Sequence, residues 1–217
     1  MLRSLCEYYD LLRSRGDKEL PQDGYSADNN VGWNLVLLED GSISAILPHV
    51  KDVVVGKKKK TVGLDETFPF RKSIPGIAAE TIDHREKYLF GLEWDKEAQA
   101  LVAGKKAVEA FEKCREVNLA FLEGLSDPLV AAYCAFLRRW QPELETQNAF
   151  LTTLGKAYQG AKFVITLYGA ETQPLNSLLS VRERWKRSLE SSPEDEKDAV
   201  IGQCAVSGKT GPLARLH

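Results

Sequence analysis

Apolar residues recur at three- and four-residue intervals from the start of the chain. Leu2, Leu5, Cys6, Tyr9 and Leu12 fall on one face of a predicted helix that Gly16 would stop. The next stretch, "DKELPQDGYSADNN" (residues 17–30), is polar and rich in turn formers, and predicts an irregular connection. From Trp33 the period drops to two. Trp33, Leu35 and Leu37 alternate with Asn34, Val36 and Leu38, Asp40-Gly41 supplies the positive backbone angles of a tight turn, and Ile43, Ala45 and Leu47 resume the alternation. This predicts a β-hairpin, which "DVVVG" (residues 52–56) would extend within the same sheet. The run "GKKKKT" (residues 56–61) is then either a charged loop or the exposed end of a strand pair.

Further on, "EKYLFGLEW" (residues 86–94) predicts a strand. From Glu97 the period moves towards 3.6, and Leu101, Val108, Phe111, Val117, Phe121 and Leu122 predict a long helix. Asp127-Pro128 opens another, with Asp as the cap, Pro pre-set for the first helical position, and Leu129, Tyr133, Phe136, Leu137 and Trp140 on one stripe. "AKFVITLYG" (residues 161–169) alternates Phe163, Ile165 and Leu167 inward as a strand. "PLNSLLSVRERWKRSLE" (residues 174–190) predicts a helix burying Leu178, Val181, Trp185 and Leu189, followed by an acidic loop and a last strand in "AVIGQCAV" (residues 199–206). Helices and strands are grouped rather than alternating, which favours an α+β fold with a mainly antiparallel sheet and packed helices. The patterning divides into a helix-plus-sheet part (1–96), a helical part (97–158) and a strand-helix-strand part (159–217).

With 217 residues, 43% hydrophobic and 28% charged, the chain can bury a full core. No run approaches the roughly 20 apolar residues of a membrane span, and the charged N-terminus lacks the apolar core of an export signal, so no membrane association and a cytoplasmic location are expected. Cys6, Cys114, Cys134 and Cys204 form no C-x-x-C pair, and His49, His84 and His217 are scattered. No metal and no cofactor is assigned.

The net charge of −2 conceals two opposed patches. Residues 48–75 contain seven lysines and arginines against three acids, leaving +4, whereas "ESSPEDEKD" (residues 190–198) has five acids against one lysine, leaving −4. Arg182, Arg184, Lys186 and Arg187 form a second basic cluster. The closing "VSGKTGPLARLH" (residues 206–217) suggests a phosphate-binding loop but fails its geometry. Gly202 precedes Gly208 by six positions instead of five, and Gly211-Pro212 interrupts the helix the loop must open. A tight turn at Ser207-Gly208 fits better, and no nucleophile or acid-base pair stands out as catalytic.

Five segments carry a resemblance: "LCEYYDLL" (5–12), "GYSADNNVGWNLVLLEDG" (24–41), "KYLFGL" (87–92), "VRERW" (181–185) and "CAVSGKTGPLARLH" (204–217). In order and across essentially the whole chain, they resemble the large subunit of the type I-C (Dvulg subtype) CRISPR interference complex, Cascade. After Gly76-Ile77 the chain has "AAETIDHREK", where that family tends towards an Asn-containing aromatic stretch, so no base-reading role is carried onto this segment. The resemblance implies a subunit that continues past His217, with residues 1–217 as its N-terminal domain. It also implies binding rather than catalysis: contact with double-stranded target DNA near the protospacer-adjacent motif, packing near the guide RNA 5′ handle, and docking to handle-capping and backbone subunits. Strand cutting would fall to a nuclease-helicase recruited by the full-length subunit. The local +4 charge within such a chain nominates Lys57, Lys58, Lys59, Lys60, Arg71 and Lys72 as phosphate contacts, with Asn29 or Asn30 as polar readers from the loop before the hairpin. Two other readings remain: an assembly scaffold without DNA contact, and an enzyme using Lys209-Thr210 for a nucleotide.

Overall fold

A computed structural model describes residues 2–15, 24–56, 58–70, 75–190, 201–203 and 210–212, and the protein divides into two units. The larger comprises residues 25–183, and the smaller residues 1–24 and 184–217.

In the larger unit, β2 (Trp33–Leu37) is the centre of a three-stranded sheet. It pairs antiparallel with β3 (Ile43–Pro48) and parallel with β8 (Phe163–Leu167). The predicted hairpin therefore forms, but β2 is covered on both sides: Leu35, Val36 and Leu37 are all buried. Buried Asn34 is accommodated because its Oδ1 accepts a hydrogen bond from Thr166 Oγ1 at 2.9 Å. Gly41 in the turn has φ +82°, and a Cβ there would lie 2.4 Å from the backbone nitrogen of Phe136, so the turn requires glycine twice over.

The strand containing "DVVVG" does not extend this sheet. After Pro48 the chain turns at His49, whose N-H donates to Gly32 O (2.8 Å) while its carbonyl accepts from Leu64 N (3.1 Å). β4 (Val50–Val55) then pairs with β5 (Lys58–Pro69), which also pairs antiparallel with β1 (Tyr25–Val31), giving a second sheet of order β1-β5-β4. β1 replaces the second half of the predicted irregular connection. Its turn-forming residues are accommodated by a bulge between Asp28 and Val31, where Asn30 takes φ 62°.

Two more expectations change. Residues 86–90 of the predicted strand form a short helix, α2 (Glu86–Phe90), closed by Gly91 at φ 65°, before β6 (Glu93–Asp95). The long helix begins later than Glu97: Leu101 lies in β7 (Ala100–Val102), the antiparallel partner of β6, and α3 spans Lys105–Leu122. The buried stripe of α3 is Ala107, Ala110, Phe111, Cys114, Asn118 and Leu122, offset from the predicted one, with Val117 exposed. Its small residues let α2 pack close.

α4 (Pro128–Arg139) follows the prediction, with the Asp127 carboxylate accepting from Leu129 N and Val130 N, and the whole predicted stripe buried. α5 (Ala149–Thr152) and a 3₁₀ turn at Gly155–Tyr158 lead into β8. Phe90 of α2 sits at the centre of the core, edge-on to Phe163 (5.2 Å), Trp140 (5.5 Å) and Phe136 (6.1 Å), and Trp140 Nε1 donates to its carbonyl at 2.8 Å. The resulting fold is α+β with mainly antiparallel sheets.

In the smaller unit, α1 (Leu2–Ser14) forms as predicted. Tyr9 and Leu12 are half-buried, while Leu5, Tyr8 and Leu11 are exposed. α6 (Leu179–Glu190) enters this unit from Arg184, and Trp185 Nε1 donates to Gly24 O at 2.5 Å. Within the larger unit its Val181 is buried, whereas Leu189, predicted to be buried, is half exposed. β9 (Ile201–Gln203) forms with β10 (Thr210–Pro212) as an antiparallel partner that was not predicted. Thr210 thus opens a strand where a phosphate-binding loop would open a helix. The Ser207-Gly208 turn and the acidic run after Glu190 lie outside the described residues.

Candidate nucleic-acid interface

The lysine run is the exposed end of a strand pair. In the β4–β5 ladder Lys58, Lys59 and Lys60 stand opposite Val55, Val54 and Val53, and all three lysines are exposed. Strand alternation puts Lys58 and Lys60 on one face, and Lys59 with Thr61 on the other. Lys59 Nζ lies 2.8 Å from Asp52 Oδ2, and Thr61 Oγ1 donates to Asp52 Oδ1 at 2.8 Å. These hydrogen bonds, that from Lys59 first, hold the Asp52 carboxyl below its usual range. Lys51 pairs with Asp65 at 3.2 Å. Among the described residues Lys58 and Lys60 have no ion-pair partner, so two ammonium groups stand free on one face of a short hairpin. Lys57, Arg71 and Lys72 lie outside the described residues.

Asn29 and Asn30 occupy β1, not a loop, and both are exposed. Asn30 Oδ1 accepts the Gly63 N-H at 2.8 Å, which ties the bulge of β1 to β5. Gly63 permits this approach, since a Cβ there would meet the Asn30 carbonyl carbon at 2.6 Å. The Asn29 carbonyl accepts from Lys162 Nζ at 3.1 Å. Lys162 also contacts the Asp28 carboxylate, which His84 Nε2 meets at 2.8 Å. His84 and Lys162 together hold the Asp28 carboxyl far below its usual range, the His84 hydrogen bond contributing most. Buried His84 stacks on Phe68 with ring centroids 4.0 Å apart.

A second buried polar network lies in "AAETIDHREK". Ile82 takes φ 54°, unusual for a β-branched residue, and its N-H donates to Asn118 Oδ1 at 2.7 Å, while Asn118 Nδ2 donates to Glu80 O and Cys114 O. Buried Asp83 accepts two hydrogen bonds from the Arg85 guanidinium, which lies 3.8 Å over the Tyr88 ring. Neither network was anticipated. Their one sequence signal is an Asp-His-Arg triplet too common to point anywhere. Burial pushes the Cys114 thiol well up, keeping it protonated and unreactive. Among the described residues no three His, Cys, Asp or Glu side chains group as a metal site, and no helix is long and apolar enough to cross a membrane.

The larger unit thus has an α+β fold that carries a lysine-edged β4–β5 hairpin and, apart from it, two polar networks around Asp28 and Asn118. The chain belongs to the CRISPR-associated protein family Cas_Csd1, whose family model matches residues 5–217. Its role therefore lies in CRISPR defence. No curated protein matches the chain.

Proposed function

We propose that the chain forms part of the large subunit of a type I-C Cascade complex and binds the target duplex beside the protospacer-adjacent motif as a non-catalytic component. The observation that carries this reading is the free pair Lys58 and Lys60 on the β4–β5 hairpin, within a chain of a CRISPR-associated family. Ammonium groups on a short hairpin act on phosphates as point charges and supply affinity without reading bases. Sequence selection then falls to guide pairing, with the protein reading a short motif and backbone shape. In this arrangement the domain packs near the guide RNA 5′ handle and beside the handle-capping and backbone subunits, and the full-length subunit recruits the nuclease-helicase.

A photo-crosslinker installed at Lys60 in the assembled complex tests the reading: adducts with the duplex flanking the protospacer support it, and adducts with protein alone overturn it. The exposed Leu5, Tyr8 and Leu11 on α1 favour a second reading, a scaffold that docks to other subunits without touching DNA. Co-purification with those subunits that is lost in Leu5→Ser/Tyr8→Ser, with duplex affinity unchanged by the lysine substitutions, would favour it.

A further inference from the structure

The β6–β7 hairpin and the 3₁₀ turn at Gly155–Tyr158 border an open surface pocket of about 560 Å³, within the volume range of small-ligand sites. It is lined by Trp94, Lys96, Gln99, Lys156 and Gln159: one indole, two ammonium groups and two primary amides. The scaffold is fixed. Trp94 is half-buried against the core and pairs across the hairpin with buried Leu101, and Tyr158, in the adjoining turn, is buried with its hydroxyl bonding Leu92 O (3.2 Å) and Glu86 O (3.3 Å).

Of the three acids in this hairpin, Glu97 has no ion-pair partner among the described residues, while the other two are engaged. Glu93 pairs with Lys87 at 3.0 Å, and Asp95 Oδ1 accepts Glu97 N and Ala98 N to close the turn. Lys96 and Lys156 have no ion-pair partner among the described residues. Gln99 holds φ 48°, a left-handed conformation that glycine adopts freely and glutamine does not, so the turn carries strain while directing an amide to the pocket.

We propose that this pocket takes one unpaired nucleotide of a single-stranded nucleic acid. The base stacks on Trp94, the Gln99 and Gln159 amides bond its polar edge, and Lys96 and Lys156 meet the flanking phosphates. A paired base cannot present its face to an indole, so the site discriminates against duplex. The inference goes beyond the duplex contact at the lysine hairpin and uses none of its residues.

The test is fluorescence anisotropy of the 217-residue chain with labelled DNA and RNA single strands of about 12 nucleotides and a duplex of the same sequence. Either single strand should bind more tightly than the duplex, and the tighter arm identifies the source of the nucleotide. Trp94→Leu should weaken single-strand binding about five- to 100-fold, the scale of one stacked base. Lys96→Ala/Lys156→Ala should weaken it and flatten its salt dependence. Gln99→Gly removes the amide while relieving the backbone, so it should melt no lower than wild type and bind about two- to tenfold more weakly. It decides the matter if Trp94→Leu fails to fold. Absent single-strand binding, or unchanged binding by folded Trp94→Leu and Gln99→Gly, would overturn the proposal. Lys58→Ala/Lys60→Ala should leave the Trp94-dependent loss intact, so failure at one site is distinguishable from failure at the other.

Discussion

Lys59 and Asp52 form an ion pair at 2.8 Å inside the lysine run, so the run is not a uniform row of free charges. Lys59 must share its ammonium group with Asp52 before meeting a phosphate, whereas Lys58 and Lys60 need not. Lys58→Ala and Lys60→Ala should each weaken duplex binding by the assembled complex more than Lys59→Ala does. Asp52→Asn should strengthen it, by up to about fivefold on the scale of one exposed ion pair. Filter binding at low salt measures both, and equal effects of the three lysine variants would contradict the assignment.

Asn118 satisfies three backbone groups at once and holds Ile82 in its left-handed conformation. Asn118→Ala leaves a buried N-H and carbonyl unpaired, at about 1–3 kcal/mol each. A loss of roughly 2–5 kcal/mol in urea unfolding is expected, and a loss near zero would mean the segment re-forms its bonds elsewhere.

The Asp28 carboxyl has a folded pKa well below the unfolded value of about 3.9, because His84 and Lys162 favour its charged form. A depressed carboxylate contributes stability above the unfolded pKa and loses it as pH falls towards the folded one. The stability of the wild type should therefore decline as pH drops below about 5, and Asp28→Asn should be less stable at neutral pH with a flatter acid limb. Denaturation midpoints at pH 7 and pH 3.5 make the comparison.

Asn30 and Gly63 act as a pair. Gly63→Ala drives a Cβ into the Asn30 backbone and should cost about 1–3 kcal/mol, as overpacking does. Asn30→Ala should lower stability through the lost Gly63 hydrogen bond with little change in duplex selectivity. A changed motif preference with unchanged stability would instead make Asn30 a reader.

What the sequence made legible follows the strength of local signals. α4 was legible because Asp127-Pro128 caps it and five apolar residues share one face. The β2–β3 hairpin was legible because Asp40-Gly41 punctuates a period of two. α2 was not, since five residues are less than two turns and "KYLF" fits either period. β1 was not, because only Tyr25 and Val31 at its ends are buried and its middle reads as turn. The lysine run announced itself as charge, but its split into free and paired members depends on Asp52 and Thr61 across the ladder. The Asn118 and Asp28 networks join residues 36 and 56 positions apart, which no local pattern records.

The proposed function rests on phosphate contact by the lysine hairpin. Its most direct test is the duplex affinity of the assembled complex against salt concentration, for wild type and for Lys57→Ala/Lys58→Ala/Lys59→Ala/Lys60→Ala. With each phosphate contact contributing about −0.9 to the log-log slope, the variant should bind every sequence more weakly, with a slope shallower by about 2 to 4. Unchanged affinity and unchanged slope would contradict it.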